Sequence, residues 1–346
     1  MPKTPPPMLP IPSLQYDLFS HFVTNNDSAI SNTIEFWECI PKYFLTPAQI
    51  KKVTPEMGQP DPYKWSYQLE GKSYTIIIQP AMLEEDDGSF KAYFPGATEE
   101  LVEEALKKIL SNQHFGIHDP NLRETWVRFT LSMIYRELKA KGRSRNRIQI
   151  KRAINIMARC VLTLYQGKKE IWSGSILQDL VTVDREEYLE DTQAYHQARL
   201  PLFVSHAIDR IEARQFNYER LMKCDKQLSR WIYKRLIHRY IQADYCNHYH
   251  FMYSDLKNSG LLMQSEETSN RKKVHAALEE LKQNGVLNFF EVTNVKSKSG
   301  KSVCDVKYTI SPSGDFIAEQ KAANKRRKDN LDKASKENYT IPSVNK

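Results

Sequence analysis

The chain has 346 residues, of which 40% are hydrophobic, and 50 Lys and Arg against 42 Asp and Glu give a formal net charge of +8. This length suffices for two or three domains, and the positive balance favours a polyanionic partner. The sequence holds no apolar run near the roughly 20 residues that span a bilayer, and its five cysteines form no CxxC pair. We therefore exclude a membrane protein and expect a cytoplasmic location, with no metal and no cofactor.

Residues 1–30 are rich in proline and then polar, which predicts a flexible tail. The tail contains "QYDLF", which is similar to the pentapeptide Gln-Leu-Ser/Asp-Leu-Phe by which bacterial proteins dock on the sliding clamp. The resemblance makes Gln15, Asp17, Leu18 and Phe19 the clamp-binding candidates, with Leu18 and Phe19 filling an apolar pocket. Tyr16 stands where the pentapeptide has Leu. The alternative is an amphipathic start that packs on the region that follows.

The rest of the chain divides into four parts by its pattern. A small mixed α/β region at 31–95 contains the hairpin "YKWSYQLEGKSYTIIIQ" about Glu70-Gly71. A first winged-helix domain is predicted at 96–200 and a second at 201–317, followed by a charged, disordered tail at 318–346. Further helices are predicted at "TEELVEEALKKIL", "ETWVRFTLSMIYRELKAKG", "LPLFVSHAIDRI", "KQLSRWIYKRLIHRY" and "MYSDLKN".

Two segments about 124 positions apart repeat one pattern. They are "RSRNRIQIKRAINIMARCVLTLY" at 143–165 and "TSNRKKVHAALEELKQNGVLNFFEV" at 268–292. In each, apolar residues recur at i, i+3, i+4 and i+7, which predicts an amphipathic helix with one buried stripe. In the second segment Thr268, Ser269 or Asn270 is predicted to cap the helix and Asn284-Gly285 to end it.

Each repeated helix is followed by an apolar strand, a short basic turn that contains Gly, and another strand. The turns are "QGKKE" and "VKSKSGKS". A helix packed on a two-stranded ribbon is the core of a winged helix, so the sequence predicts an α+β fold with two tandem winged-helix domains.

The exposed faces of the two helices and the wing tips are the candidate DNA-binding surface. A B-DNA major groove admits one helix, where Arg or Lys pairs with guanine and Gln or Asn with adenine, while wing-tip lysines suit phosphates. The candidates are Arg145, Arg147, Gln149, Lys151, Arg152, Asn155, Lys168 and Lys169 in the first unit, and Ser269, Asn270, Arg271, Lys272, Lys273, His275, Lys298 and Lys301 in the second. The alternative is a pair of ordinary solvated faces.

The tandem arrangement, together with "RQFNYERLMKCDKQLSRWIYKRLIHRY" before the second unit, resembles the replication initiators of bacterial plasmids, the Rep proteins with two winged helices. The resemblance covers about residues 96–317. It implies binding to repeated duplex DNA sites called iterons, opening of an adjacent AT-rich segment, and recruitment of host DnaA and the replicative helicase. It also implies a homodimer that represses its own gene and a monomer that initiates. In that family the second domain usually makes the stronger base contacts. The smallest members lack the counterpart of 31–95.

We expect a protein without enzymatic activity, with a winged-helix transcriptional repressor as the alternative. A more distant alternative is a nickase, because "CNHYHF" contains His248 and His250 in a pattern similar to the metal motif of rolling-circle nickases, with Tyr135 or Tyr233 as nucleophile. A zinc site at Cys246 with these histidines lacks the usual CxxC spacing. "SKSGKS" is not a phosphate loop, because it lies in a hairpin turn.

Overall fold

The computed structural model describes residues 23, 27–53, 60–112, 114–119, 121–183, 195–262, 265–297, 302–336, 339 and 341. The fold is α+β. The helices are α1 (Glu35–Cys39), α2 (Pro47–Val53), α3 (Ala97–Leu110), α4 (Leu131–Ala140), α5 (Arg147–Arg159), α6 (Leu202–Asp209), α7 (Tyr218–Lys223), α8 (Gln227–Arg239), α9 (Tyr253–Asn258), α10 (Glu267–Gln283) and α11 (Gly314–Lys336).

The strands form five small antiparallel sheets within the described residues. They are β1 (Ile30–Thr33), β2 (Tyr63–Leu69), β3 (Lys72–Gln79), β4 (Ala81–Glu84), β5 (Phe90–Tyr93), β6 (Gly116–Asp119), β7 (Glu124–Phe129), β8 (Val161–Gln166), β9 (Lys169–Gly174), β10 (Gln178–Val181), β11 (His196–Arg199), β12 (Arg214–Asn217), β13 (Tyr249–Met252), β14 (Leu287–Lys296) and β15 (Val303–Pro312). The predicted hairpin is confirmed as β2 and β3, with Glu70 and Gly71 at positive φ in its turn.

The first wing is part of a four-stranded sheet in the order β2-β3-β8-β9. Strand β3 pairs antiparallel with β8 and places Ile76 opposite Leu164 and Ile78 opposite Leu162. These four side chains are at most 1% exposed, so apolar cross-strand pairs hold the hairpin on the wing. The region 31–95, predicted as a separate small unit, is therefore structurally continuous with the first winged helix.

The segment "ETWVRF" was predicted as the start of a helix, and that prediction is wrong. It forms β7 in the sheet β10-β11-β7-β6, and its side chains alternate between half-buried and buried, the period of a strand. The helix begins afterwards as α4, where the Thr130 hydroxyl accepts a hydrogen bond from the Met133 N–H at 3.1 Å. A capping threonine thus separates the two elements.

The second unit contains α8, α9 and α10 packed against the sheet β13-β15-β14. Helix α10 ends where Asn284 and Gly285 were predicted to end it, and Gly285 has a φ of +70°, in the left-handed region that favours glycine. Strands β14 and β15 are ten residues long and form the second wing.

The two units share elements across the predicted boundary at residue 200. Helix α6, assigned to the second unit, packs on β7 of the first, and Asp209 lies 2.8 Å from the imidazole of buried His118. Strand β1 precedes the first unit in the chain but pairs with β12 of the second. In this pairing Ile30 lies opposite Asn217 and Thr33 opposite Arg214. The boundary therefore lies after α6, and the chain passes between the units more than once.

The C-terminal segment from 318, predicted as a disordered tail, is helical as far as Lys336 in α11. Phe316, Gln320 and Ala323 lie at the i, i+4 and i+7 positions and are buried. Arg214 donates to Gln320 at 2.9 Å, and the Glu319 carboxylate accepts from the Tyr233 hydroxyl at 3.1 Å. The prediction was wrong because a high charge content obscured one short apolar stripe.

Eight ionisable side chains lie buried or nearly so where α1, α3 and α8 meet. This junction network consists of Glu38, Lys42, Glu100, Glu103, Glu104, Lys107, Arg230 and Lys234. The Lys234 ammonium lies 2.6 Å from carboxylate oxygens of both Glu38 and Glu104. Arg230 donates two hydrogen bonds, of 3.0 and 2.6 Å, to the two oxygens of Glu100. Since α3 belongs to the first unit and α8 to the second, these pairs join the units.

Glu38 and Lys234 stay ionised in the junction network because opposite charges outweigh the cost of burying them. Desolvation by burial raises the pKa of Glu38, but the ammonium groups of Lys107 and Lys234 outweigh it and hold that pKa well below its usual value. Desolvation lowers the pKa of Lys234, and the carboxylates of Glu104 and Glu38 outweigh it and raise that pKa. The stabilisation from Glu38 is lost as pH falls towards its lowered pKa in the folded state, and that from Lys234 is lost as pH rises through its raised pKa.

Replacing Lys234 with Met should destabilise the fold, because Glu38 and Glu104 would keep buried charges with one partner fewer. We expect a loss of about 3–5 kcal/mol in the free energy of unfolding, measured by urea denaturation. Lys223→Met, at an exposed site just before α8, is the matched control and should change stability by no more than about 0.5 kcal/mol. Equal effects of the two substitutions would show that the network does not hold the units together.

Buried His238 should make the fold acid-sensitive. Desolvation by burial, with Arg214 nearby, lowers the pKa of His238 from 6.5 to about 3. The unfolded chain therefore binds one more proton in this range, and stability should fall by roughly 1.4 kcal/mol per pH unit as pH drops below 6.5. Urea denaturation of the wild type and of His238→Gln between pH 7 and 5 measures the difference. Parallel pH profiles would rule out this contribution.

Within the described part of the chain, every helix is either too short or too polar to cross a membrane.

Candidate nucleic-acid interface

Helix α5 begins at a reciprocal cap. The Asn146 side chain accepts from the Gln149 N–H at 2.8 Å, and the Gln149 side-chain oxygen accepts from the Asn146 N–H at 3.0 Å. The predicted inner stripe is confirmed, because Ile150, Ile154 and Met157 are buried. Gln149 is exposed, but its oxygen is engaged in the cap. Bidentate pairing of Gln149 with adenine would therefore require breaking that hydrogen bond.

The remaining candidates on α5 differ in how freely they face solvent. Arg147 and Lys151 are exposed. Arg145 lies before the helix and is half-buried, with its guanidinium donating to the Thr98 hydroxyl at 3.3 Å. Asn155 is half-buried. The first turns of α5 thus present most of the positive charge.

Arg152 has partners in the β4–β5 hairpin, which sequence reasoning did not connect to the helix. Its guanidinium lies 5.4 Å from the centroid of the Tyr93 ring and 3.9 Å from the Glu85 carboxylate. Both contacts are at the surface, where such interactions are worth about 1 kcal/mol or less. They orient Arg152 without burying it. Tyr93 lies almost 60 residues away, so no local pattern indicated the contact.

The first wing has a tight basic tip. Gly167, with a φ of +61°, and Lys168 form a two-residue turn, and Lys169 begins the return strand. Both lysines are exposed. This geometry suits contact with phosphates, because two ammonium groups project from one turn and no base reading is required.

Helix α10 begins earlier than predicted, and two candidates on it change role. Its first residue is Glu267, so Thr268, Ser269 and Asn270 lie inside the helix and do not cap it. Asn270 is 1% exposed and hydrogen-bonds the hydroxyl of Tyr253, so its assignment to DNA binding is wrong. Ser269 is half-buried and donates to Glu266 at 3.3 Å.

The other candidates of α10 border a groove of about 310 Å³ between the helix and the second wing. Arg271, Lys272 and His275 line its helical side, and the wing contributes Val292, Asn294, Val306 and Tyr308. The Arg271 guanidinium lies 5.4 Å from the Tyr253 ring centroid, which fixes its position at the groove. The structure therefore brings together three DNA-binding candidates of the second unit, Arg271, Lys272 and His275. Their side chains lie beside the mostly apolar residues of the wing.

His275 has further contacts within this groove, whereas Lys273 is not part of its lining. The His275 ring packs edge-on to Phe290 at 5.3 Å between centroids, and its Nε2 is 3.9 Å from Glu279. Lys273 is exposed. Lys298 and Lys301 in the second wing turn, and the clamp-binding candidates Gln15, Asp17, Leu18 and Phe19, lie outside the described residues.

Among the residues of the nickase alternative, His248 and His250 lie at the surface, whereas Tyr233 lies in the interior. The Nε2–H of His248 donates to the Tyr245 carbonyl oxygen at 3.1 Å, and both His248 and His250 are exposed. No group of three or more His, Cys, Asp or Glu that could hold a metal ion occurs among the described residues. Tyr233 is buried, and desolvation by burial raises the pKa of its hydroxyl well above 10. This hydroxyl is therefore inaccessible to a phosphodiester.

Comparison with known proteins gives likenesses of fold. No protein-family model matches the chain, and no curated protein matches it. A structure of domains 2 and 3 of RctB has 13% identity and a TM-score of 0.44, covering 76% of this chain and 95% of that one. The Pi initiator protein in complex with iteron DNA has 13% identity and a TM-score of 0.37, covering 84% of this chain and 100% of that one. A second structure of RctB domains 2–3 gives a TM-score of 0.40 at 13% identity, covering 78% and 97%.

Replacing Lys272 with Ala tests the groove of the second unit. If Lys272 reads a base, the substitution should cost about 1–3 kcal/mol in binding to a preferred duplex and relax the preference at one position. Fluorescence anisotropy with the preferred duplex and single-base variants measures both effects. The exposed Lys282→Ala, at the other end of α10, is the control. Unchanged affinity and specificity in Lys272→Ala would show that this face is not the reading surface.

Proposed function

We propose that this protein binds duplex DNA sequence-specifically through two recognition helices, α5 and α10, as a replication initiator of plasmid type. The observation that carries the proposal is the repetition of one chemical arrangement. Each helix buries its apolar stripe against its own core and carries exposed cations on its outer face, and those of α10 lie beside the second wing. A helix of this kind fits the major groove, while the first wing tip reaches phosphates.

The finer part of the proposal follows the resemblance to plasmid initiators. In it, the DNA sites are directly repeated iterons, binding promotes opening of an AT-rich segment, and host DnaA and the replicative helicase are recruited. The sliding clamp would engage "QYDLF". What supports a single DNA-binding body over two independent modules is the junction network, because buried ion pairs such as Lys234 with Glu104 connect the units.

Selection of bound duplexes from a random DNA pool, followed by footprinting of the winning sequence in its natural context, is the decisive experiment. The proposal expects one motif that recurs as direct repeats beside an AT-rich segment, together with distortion of that segment without strand cleavage. A single inverted repeat at a promoter would instead identify a repressor. No enrichment at all would remove the claim of sequence specificity.

Binding should weaken steeply with salt, because lysines and arginines that contact phosphates release counterions. With about 6 to 10 phosphate contacts, affinity should fall on the order of a thousandfold or more between roughly 50 and 200 mM salt. Replacing both Lys168 and Lys169 with Ala should weaken binding to every DNA sequence by a similar factor. The slope of log affinity against log salt concentration should become shallower by about 2, since two phosphate contacts are lost. A sequence-dependent loss in this double variant would mean that the first wing reads bases.

A further inference from the structure

Ile148 occupies an unusual place on the first recognition helix. It is 73% exposed, more than any other large hydrophobic side chain among the described residues. At 3.6 residues per turn it lies about 150° around the axis of α5 from the buried stripe of Ile150, Ile154 and Met157. Scattered exposed apolar residues need no explanation in themselves. Ile148, however, lies at the centre of the surface that faces away from the protein.

The surroundings of Ile148 are polar and cationic. Lys151 and Arg152 lie three and four residues later, and therefore on the same face of the helix. Residues 143–152 contain no acidic side chain. A cationic rim around one apolar side chain disfavours an apolar protein partner and favours a polyanion that carries a small apolar group. In the major groove of DNA that group is the C5-methyl of thymine.

The second unit has a different chemistry at the equivalent position. Superposing the repeats by their buried core positions pairs Ile148 with Lys272 and Arg152 with Ala276. The first helix thus has an apolar residue followed one turn later by a cation, and the second has a cation followed by an apolar residue. Thymine methyl groups accept apolar contacts, whereas Lys and Arg pair with guanine. The two helices therefore present these chemistries in opposite order.

We infer that Ile148 is a specificity-determining residue that contacts a thymine methyl group, and that the two units read different base sequences within one binding site. This inference rests on the proposed function, since it requires sequence-specific binding to duplex DNA. The contact forms as the exposed side chain of Ile148 covers the methyl group and removes both from water. Lys272 at the equivalent place in α10 selects against such a base.

The probe is the winning duplex from the random pool and a set of copies in which each thymine in turn is replaced by uracil, which removes only the methyl group. For the wild type, one or two of these replacements should weaken binding by about fourfold each, the effect of withdrawing one buried methyl group. Ile148→Ala should bind the thymine duplex more weakly by a similar factor. It should show no further loss with uracil at the same positions.

Leu122→Ala is the matched control, because Leu122 is 57% exposed and lies in a turn away from both recognition helices. It should leave binding and the uracil response unchanged. Ile148→Lys tests the same contact by gain of function: repeating the selection should yield guanine in place of thymine at the affected position. Ile148 and Leu122 are both exposed, so circular dichroism should show that all three variants retain the fold.

Each outcome has a distinct meaning. If the wild type and Ile148→Ala respond alike to uracil at every position, while the pool still yields one preferred motif, the inference about Ile148 is wrong and the proposed function stands. If the pool yields no motif with any variant, the proposed function itself fails. A preferred motif in which the sub-sites of α5 and α10 are identical would also overturn the inference.

Discussion

The architecture depends on one buried ammonium group. Lys234 of α8 lies between Glu38 of α1 and Glu104 of α3, and it therefore connects segments almost 200 residues apart in the chain. Burying these charges costs several kcal/mol each unless they are paired, so the arrangement is stable only when all three segments are in place. Apolar packing tolerates small displacements, but a buried ion pair at 2.6 Å does not. The geometry of these ion pairs therefore sets the relative positions of α1, α3 and α8.

Helices α5 and α10 are supported from this junction without taking part in it. Helix α3 packs against α5, and α8 packs against α10, so each reading helix rests on a helix that the network fixes. Hydrophobic burial on their inner stripes leaves their outer faces unconstrained. The residues that stabilise the fold and those proposed to contact DNA therefore lie on opposite sides of the same helices. The exposed residues of α5 and α10 can vary in chemistry without loss of the fold.

Local sequence patterns predicted helices α5 and α10 but did not predict the contacts that surround them. The period of 3.6 identified the burial of Ile150, and Asn-Gly identified the end of α10 at Gly285, because both effects depend on adjacent residues. The pairing of β3 with β8 was not predicted, since a period of two indicates a strand and not its partner. Asn270 was misassigned for the same reason: its partner Tyr253 comes from another helix. For the DNA-binding candidates, the local sequence pattern predicted which residues are charged. Contacts with residues distant in the sequence determine which of those side chains are exposed.

Under the proposed function, a fixed junction also limits the DNA that the protein can bind. If α5 and α10 enter successive stretches of one duplex, their separation and angle are set by the protein. Inserting one base pair between the two stretches would rotate one of them by roughly a tenth of a helical turn, since B-DNA completes a turn in about 10–10.5 base pairs. Either the duplex would have to untwist or one helix would leave its groove. The permitted length of a binding site would then be determined by Lys234 and Glu104, two residues inside the protein that never contact DNA.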